Sequence, residues 1–177
     1  MAKAIGMIEF GSIARGIYAA DQMVKTSDVE IVTANSVCPG KYIAIVHGDV
    51  SSVETAVRRG EETAEEFLID SIVIPNVHPR VFPAIVGTTM PEEIQALGIL
   101  ESYSLATMVI ATDAVLKSAE LDAIEIRLGT GLGGKAYFTF TGDVAAVKTG
   151  VNVGMEIIGD AGVLLNAWAF PAKKPKS

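Results

Sequence analysis

Apolar residues come in short bursts along this chain, and the spacing inside each burst predicts an element. Ala4–Phe10 is a brief apolar run containing Gly6 and predicts a strand. From Ser12 the period changes, because Ile13, Ile17, Ala20 and Val24 share one face of a helix. Val29–Thr33 is rich in β-branched residues and predicts a second strand. Val37-Cys38-Pro39-Gly40 predicts a turn, since proline fixes φ and glycine accepts positive φ. Tyr42–His47 reads as the next strand, and Asp49 stands where a carboxylate accepts from the free amides of a helix start. Val50, Val53, Val57, Ala64, Phe67 and Leu68 mark the apolar side of that helix, in which Gly60 either weakens the helix or admits a close neighbour. Leu68–Ile74 closes the series as a strand ended by Pro75. The order is βαββαβ, an α+β, ferredoxin-like pattern with helices on one face of an antiparallel sheet.

The same pattern then returns. Ala4, Gly6, Glu9, Ser12, Ala14, Ala19, Asp21 and Lys25 recur as Ala96, Gly98, Glu101, Ser104, Ala106, Ala111, Asp113 and Lys117. After a two-residue shift, Gly40-Lys41 recurs as Gly134-Lys135, and Gly48-Asp49-Val50 as Gly142-Asp143-Val144. The chain is therefore a tandem duplication of a unit of about 80–90 residues, long enough for a small domain. The expected boundaries are 4–86 and 96–172, with a turn-rich linker at 87–95 and a C-terminal tail at 173–177.

Composition narrows the function classes. Half of the 177 residues are hydrophobic, 6% are aromatic and 20% are charged, too apolar for a disordered chain. Fourteen Lys and Arg against 21 Asp and Glu give a net charge of −7, which argues against a nucleic-acid surface. Mean hydropathy is +0.41, yet charges such as Arg15, Asp21, Lys25, Asp113 and Lys117 interrupt every stretch long enough to span a membrane. The N-terminal MAKAIGMIEF has no secretory pattern, so the chain reads as soluble and cytoplasmic. The aliphatic surplus then implies faces buried against another domain or another copy.

Candidate chemistry is sparse. Cys38 is the sole cysteine, so one chain forms neither a disulfide nor a cysteine cluster, and the plain reading is a small hydrophobe. As a nucleophile it would need a base and an orienting group; His47 and His78 lie at no recognisable spacing and read as structural. Gly129–Lys135, GTGLGGK, looks like a phosphate cradle, but Ala136 follows the lysine and a strand follows the loop. Glycines that admit a crowded backbone are the better reading. Glu61-Glu62 and Glu65-Glu66 read as a solvated helix face, and Arg58-Arg59 as a source of weak helical charge pairs. Lys25 and Lys117 end matching helices, where a cation complements the helix C-terminus.

AIGMIE, SIARGIYAADQMVK, the turn ending in Gly40-Lys41, HGDVSSVETAV and IVIPNVHP together resemble the bacterial microcompartment shell domain. Two such domains in one chain resemble its tandem-domain, trimer-forming class, nearest the T-type shell proteins of propanediol-utilisation compartments. The second copy ends LLNAWAFPAKKPKS and lacks the His-Pro of the first. The resemblance implies a non-enzymatic shell component in the compartment shell, a homotrimer with a six-lobed outline and a central pore. It implies pore-lining loops containing Ser36, Val37, Pro39 and Gly40 in one copy and Gly131, Leu132 and Gly133 in the other. It implies Lys25 and Lys117 at edges that meet other shell proteins. It also implies a [4Fe–4S] cluster, one per trimer, on three Cys38 thiolates, serving electron transfer or cluster exchange with redox enzymes in the lumen; thiolate chemistry suits that role. Zinc on the same thiolates is an alternative, as is a plain tile whose pore passes metabolites. Different in class are a cysteine enzyme and a small-molecule-sensing ferredoxin-like module.

Overall fold

The computed structural model describes residues 4–171; the expected tail at 173–177 lies outside them. The chain divides into two compact units, one comprising Met1–Val77 with Gly129–Gly134 and the other His78–Leu128 with Lys135–Ser177.

In the first unit the elements are β1 (Ala4–Phe10), α1 (Ile13–Thr26), β2 (Glu30–Val37), β3 (Lys41–Gly48), α2 (Val50–Ala64) and β4 (Leu68–Ile74), with one 3-10 turn at Glu65–Phe67. The strands form one antiparallel sheet in the order β2-β3-β1-β4. This is the expected α+β arrangement. Strand β2 runs on to Val37, past the expected end at Thr33, so the turn narrows to Cys38–Gly40. Asp49 caps α2 as expected, accepting from the Ser52 amide at 3.0 Å. Ser12 caps α1 through the Arg15 amide at 3.3 Å, an interaction worth about 1 kcal/mol in typical helices.

The core face of α1 differs from expectation. Gly16, Ala19, Ala20 and Met23 are buried, whereas Ile13 and Ile17 are 41% and 54% exposed. Small residues let the helix axis approach the rest of the unit, and the larger isoleucines fall on the outer side. Gly60 serves the same end in α2: a Cβ there would collide with Ile8 and crowd Met23. It is a close-packing residue, and Gly154 plays the same part against Leu100 in the second unit.

The second unit carries α3 (Val81–Val86), β5 (Ala96–Ser102), α4 (Leu105–Ser118), β6 (Asp122–Leu128), β7 (Ala136–Gly142), α5 (Val144–Asp160) and β8 (Leu164–Pro171). Its sheet order, β6-β7-β5-β8, repeats that of the first, and Ser104 and Asp143 cap its two long helices. Phe138 and Phe140 stack at 5.1 Å inside it, each fully buried and worth roughly 2–3 kcal/mol of apolar burial.

The first compact unit stops at Val77, short of the expected boundary at 86. Helix α3 packs on β6 and α4. The His78 amide donates to Asp113 at 2.7 Å, and Arg80 reaches the Leu121 carbonyl at 2.5 Å and Asp122 at 2.7 Å. These polar contacts are made with the second copy's own helix and strand, which is why the segment belongs there. Among the described residues no helix is long and apolar enough to cross a membrane.

Candidate metal-binding turn at Cys38

Val37 and Lys41 are direct partners across β2 and β3, so Cys38, Pro39 and Gly40 are all that joins the two strands. Gly40 takes φ of +73°, as the turn requires, and the Cys38–Pro39 peptide is cis. Val37 is buried, Cys38 is half-buried with a free thiol, and Pro39, Gly40 and Ser36 are exposed. The turn thus lifts one sulfur to the boundary with solvent.

A second segment of the same compact unit, Gly129–Gly134, holds the backbone of this turn. The Cys38 amide donates to the Gly129 carbonyl at 3.2 Å, and that carbonyl also accepts from Leu132 at 3.5 Å. Gly134 has φ of +85°, and a Cβ on it would stand 3.1 Å from Pro39 Cδ and 3.2 Å from the Cys38 carbonyl oxygen. A side chain at Gly134 would therefore push directly on the cysteine-bearing turn. Gly131 and Gly133 are exposed, also with positive φ, and Leu132 is half-buried. Of these glycines, Gly134 admits a close backbone neighbour, whereas a Cβ at Gly131 or Gly133 would meet nothing within 4 Å. The structure therefore places the loop that carries Gly131, Leu132 and Gly133 in the same compact unit as the Cys38 turn, with contact made through Gly129 and Gly134.

Each turn is followed by a lysine anchored to its own sheet. Lys41 Nζ pairs with Glu9 of β1, whose side chain is 4% exposed. Lys135 Nζ pairs with Glu101 of β5 at 2.9 Å, with that carboxylate 33% exposed. This hydrogen bond holds the Lys135 ammonium above its ordinary lysine pKa. Sequence reasoning missed both pairs, although Glu9/Glu101 and Lys41/Lys135 stand among the repeated positions. Recurrence at matched sites was the available signal.

The remaining candidates are dispersed. Lys25 pairs with Asp21 at 2.7 Å on an exposed helix face, while Lys117 pairs at 2.6 Å with Asp113, whose side chain is only 10% exposed. His78 Nδ1 accepts from the Arg80 amide at 3.3 Å, and burial, then Arg80, pushes its pKa below the usual histidine value. His47 Nε2 lies 3.6 Å from Glu30. Of the acidic run, Glu65 bridges to Arg15 at 3.2 Å, Glu62 lies 3.5 Å from Arg59, and Glu61 accepts from Ser71 at 2.5 Å. Among the described residues no three His, Cys, Asp or Glu side chains converge as metal ligands. One chain offers one thiol, so an iron–sulfur cluster fits only where thiols from several copies meet.

The BMC domain model matches residues 4–77 and again 96–172. The chain belongs to the BMC-domain family of bacterial microcompartment shell proteins. It is 37% identical over 171 residues to the bacterial microcompartment shell protein PduT of Citrobacter freundii, covering 97% of this chain and 93% of that protein. It is also 33% identical over 170 residues to the carboxysome assembly protein CcmO of a Synechocystis strain, covering 86% of this chain and 56% of that one. Among solved structures, a microcompartment protein from Desulfitobacterium hafniense matches with a TM-score of 0.94 at 42% identity, over 98% of this chain and 96% of that one. The two sheets described above are thus two BMC domains, and the chain is a structural shell protein of the cytoplasmic microcompartment. Membership implies assembly with other shell proteins.

Proposed function

We propose that this BMC protein is a homotrimeric shell tile whose central opening carries one [4Fe–4S] cluster, held by one Cys38 thiolate from each chain. The observation that carries the reading is a free, half-buried thiol on the first residue of a three-residue turn whose backbone is held from a second side. A sulfur presented on a fixed backbone needs little reordering to bind a metal, which lowers the entropic cost of assembly. Three-fold symmetry turns one donor per chain into three around one axis, and three thiolates form a soft set suited to iron and sulfide.

Each part of the loop has a task in this account. Cys38 supplies the thiolate, and Pro39 and Gly40 set its turn. Gly129 holds the Cys38 amide, and Gly134 leaves room for that backbone. Ser36, Val37, Gly131, Leu132 and Gly133 complete the rim of the opening. Bound there, a cluster supplies one-electron chemistry, which serves electron transfer across the shell or cluster exchange with redox enzymes of the lumen. Lys25 and Lys117 lie at the tile edges and meet neighbouring shell proteins.

Anaerobic purification followed by iron and acid-labile sulfide analysis tests the assignment. The expected result is a coloured trimer with iron and sulfide that both disappear in Cys38→Ser. A colourless, iron-free trimer would overturn the cluster and leave a plain tile.

A further inference from the structure

The two copies differ in what covers one strip of surface. In the second copy α3 packs on β6 and α4. On those two elements Leu105, Val109 and Ala123 are almost fully buried. The matching residues of α1 and β2 are Ile13, Ile17 and Ile31, which are 41%, 54% and 47% exposed. Larger apolar side chains are thus left in water where their counterparts are covered, which marks an interaction surface.

The polar groups of the strip show the same contrast. In α4, Lys117 takes Oδ2 of Asp113 and the His78 amide takes Oδ1 at 2.7 Å. In α1, Lys25 and Gln22 both reach Oδ2 of Asp21, and among the described residues Oδ1 accepts no hydrogen bond. Arg80 reaches the Leu121 carbonyl and the Asp122 carboxylate. The register-equivalent of Asp122 in the first copy is Glu30, whose side chain is 83% exposed and lies 3.6 Å from His47.

The chain holds a second segment with the pattern that fills such a strip. Strands β4 and β8 end in matching register, with Ile74 opposite Ile5 and Phe170 opposite Leu97. Counted from there, Pro75, His78, Pro79 and Arg80 correspond to Pro171, Lys174, Pro175 and Lys176. Both prolines recur, and so does the cation that follows the second of them. Lys174 has a backbone amide to donate where His78 donates one, and Lys176 has a positive charge where Arg80 has one.

We propose that the segment after β8, residues 171–177, docks on the α1–β2 strip of a second copy of this chain, with the Lys174 amide on Asp21 and the Lys176 ammonium on Glu30. A basic segment and two exposed carboxylates are complementary in charge, which sets partner and register. Lysine stems cover apolar surface such as Ile17 and Ile31 while their ammonium groups stay in water. The contact joins two different surfaces, so it is heterologous and closes into a ring where the rotation fits. The assignment rests on the homotrimer proposed above and is independent of the cluster.

The test uses the full-length chain carrying Cys38→Ser, so that introduced cysteines are the only thiols. Glu30→Cys and Lys176→Cys are combined, treated with a short bis-maleimide and separated under denaturing conditions, with native mass measured alongside. Covalent dimers and trimers are expected, and neither cysteine alone should give them. A cross-linked monomer would put the segment on its own chain and overturn the proposal. A native trimer that yields no covalent multimers would overturn the docking and leave the trimer standing, whereas a native monomer would overturn both. Charge exchange gives a second reading without cysteines. Lys176→Glu and Glu30→Lys should each speed subunit exchange between labelled trimers about threefold to tenfold, and the two together should return it close to the wild-type rate. Unchanged rates in both single variants, or a combined variant faster than either, would also overturn the assignment.

Discussion

The Cys38–Gly40 turn and the Gly129–Gly134 loop join equivalent strands of two copies of one BMC domain, and they have diverged in opposite directions. The first is three residues long and carries the chain's one thiol. The second is longer and mostly glycine, with Leu132 where the first copy has cysteine. Around them the scaffold is preserved: the same strand order, a Ser and an Asp cap in each copy, and a Glu–Lys pair at the foot of each loop. One loop carries the thiol while the other packs against it, visible in the Gly129 carbonyl on the Cys38 amide and in Gly134 against Pro39. In the proposed trimer the two diverged copies would supply three thiols and three glycine loops.

The sharpest way to break this comparison is to exchange the chemistry at the two loops. Cys38→Ser should abolish iron and sulfide binding, whereas Leu132→Ser should leave both at wild-type level, read by metal analysis of anaerobically purified trimers. Equal iron in the two variants would mean that the loops are not specialised.

Backbone support comes next. Gly134→Val places a branched side chain at φ of +85° and against the Cys38 carbonyl. It should cost about 2–3 kcal/mol in denaturant unfolding and lower metal occupancy. Gly40→Ala, also at positive φ but with nothing within 4 Å, should cost only about 1 kcal/mol. If the order reversed, the spacer loop would not be supporting the turn.

The two Glu–Lys pairs offer a smaller contrast. Glu9 is buried and Glu101 is not, so removing the Glu9 charge leaves a less hydrated partner behind. Glu9→Gln should lose about 2–4 kcal/mol of stability, with a markedly smaller loss for Glu101→Gln, measured by chemical denaturation. Equal losses would contradict the difference in burial.

The smallest effect belongs to the outer strands. In the second copy Glu125 accepts from Arg127 and from the Tyr137 hydroxyl at 2.7 Å. Arg127 first, then Tyr137, holds its pKa below the usual glutamate value. The register-equivalent positions in the first copy are Thr33, Asn35 and Ile43, with no such charge. A carboxyl lowered in the folded state stabilises above its unfolded pKa, about 4.3, and loses that contribution as pH falls through the lower folded value. Arg127→Gln should therefore lower the thermal midpoint slightly at neutral pH and reduce its further fall on acidification below about pH 4. A parallel downward shift at every pH would show that Arg127 acts through packing alone.

Much of this architecture was legible in the residues. The recurrence of Gly6, Glu9, Ser12 and Lys25 announced the duplication, and Asp49 announced the helix start that Ser52 completes. The phase of α1 was not legible, because hydropathy ranks isoleucine above glycine and alanine whereas close helix packing selects the smaller residues. The domain boundary near residue 86 was missed for another reason. The segment from His78 is anchored by polar contacts from Arg80 and to Asp113, which leave no period in the sequence. The site was readable as a cysteine turn, but its support by Gly129 and Gly134 is a tertiary contact across distant sequence. The Glu–Lys pairs lay between these cases: repeated in plain view, with a pairing and a difference in burial that only the structure reveals.

The central claim is a stoichiometry: three chains, three Cys38 thiolates and one cluster. Native mass spectrometry of anaerobically purified protein reads it directly. The expected species is a trimer heavier than three chains by one [4Fe–4S] unit, falling to the bare trimer in Cys38→Ser. A bare wild-type trimer, a monomer, or one metal bound per chain would contradict it.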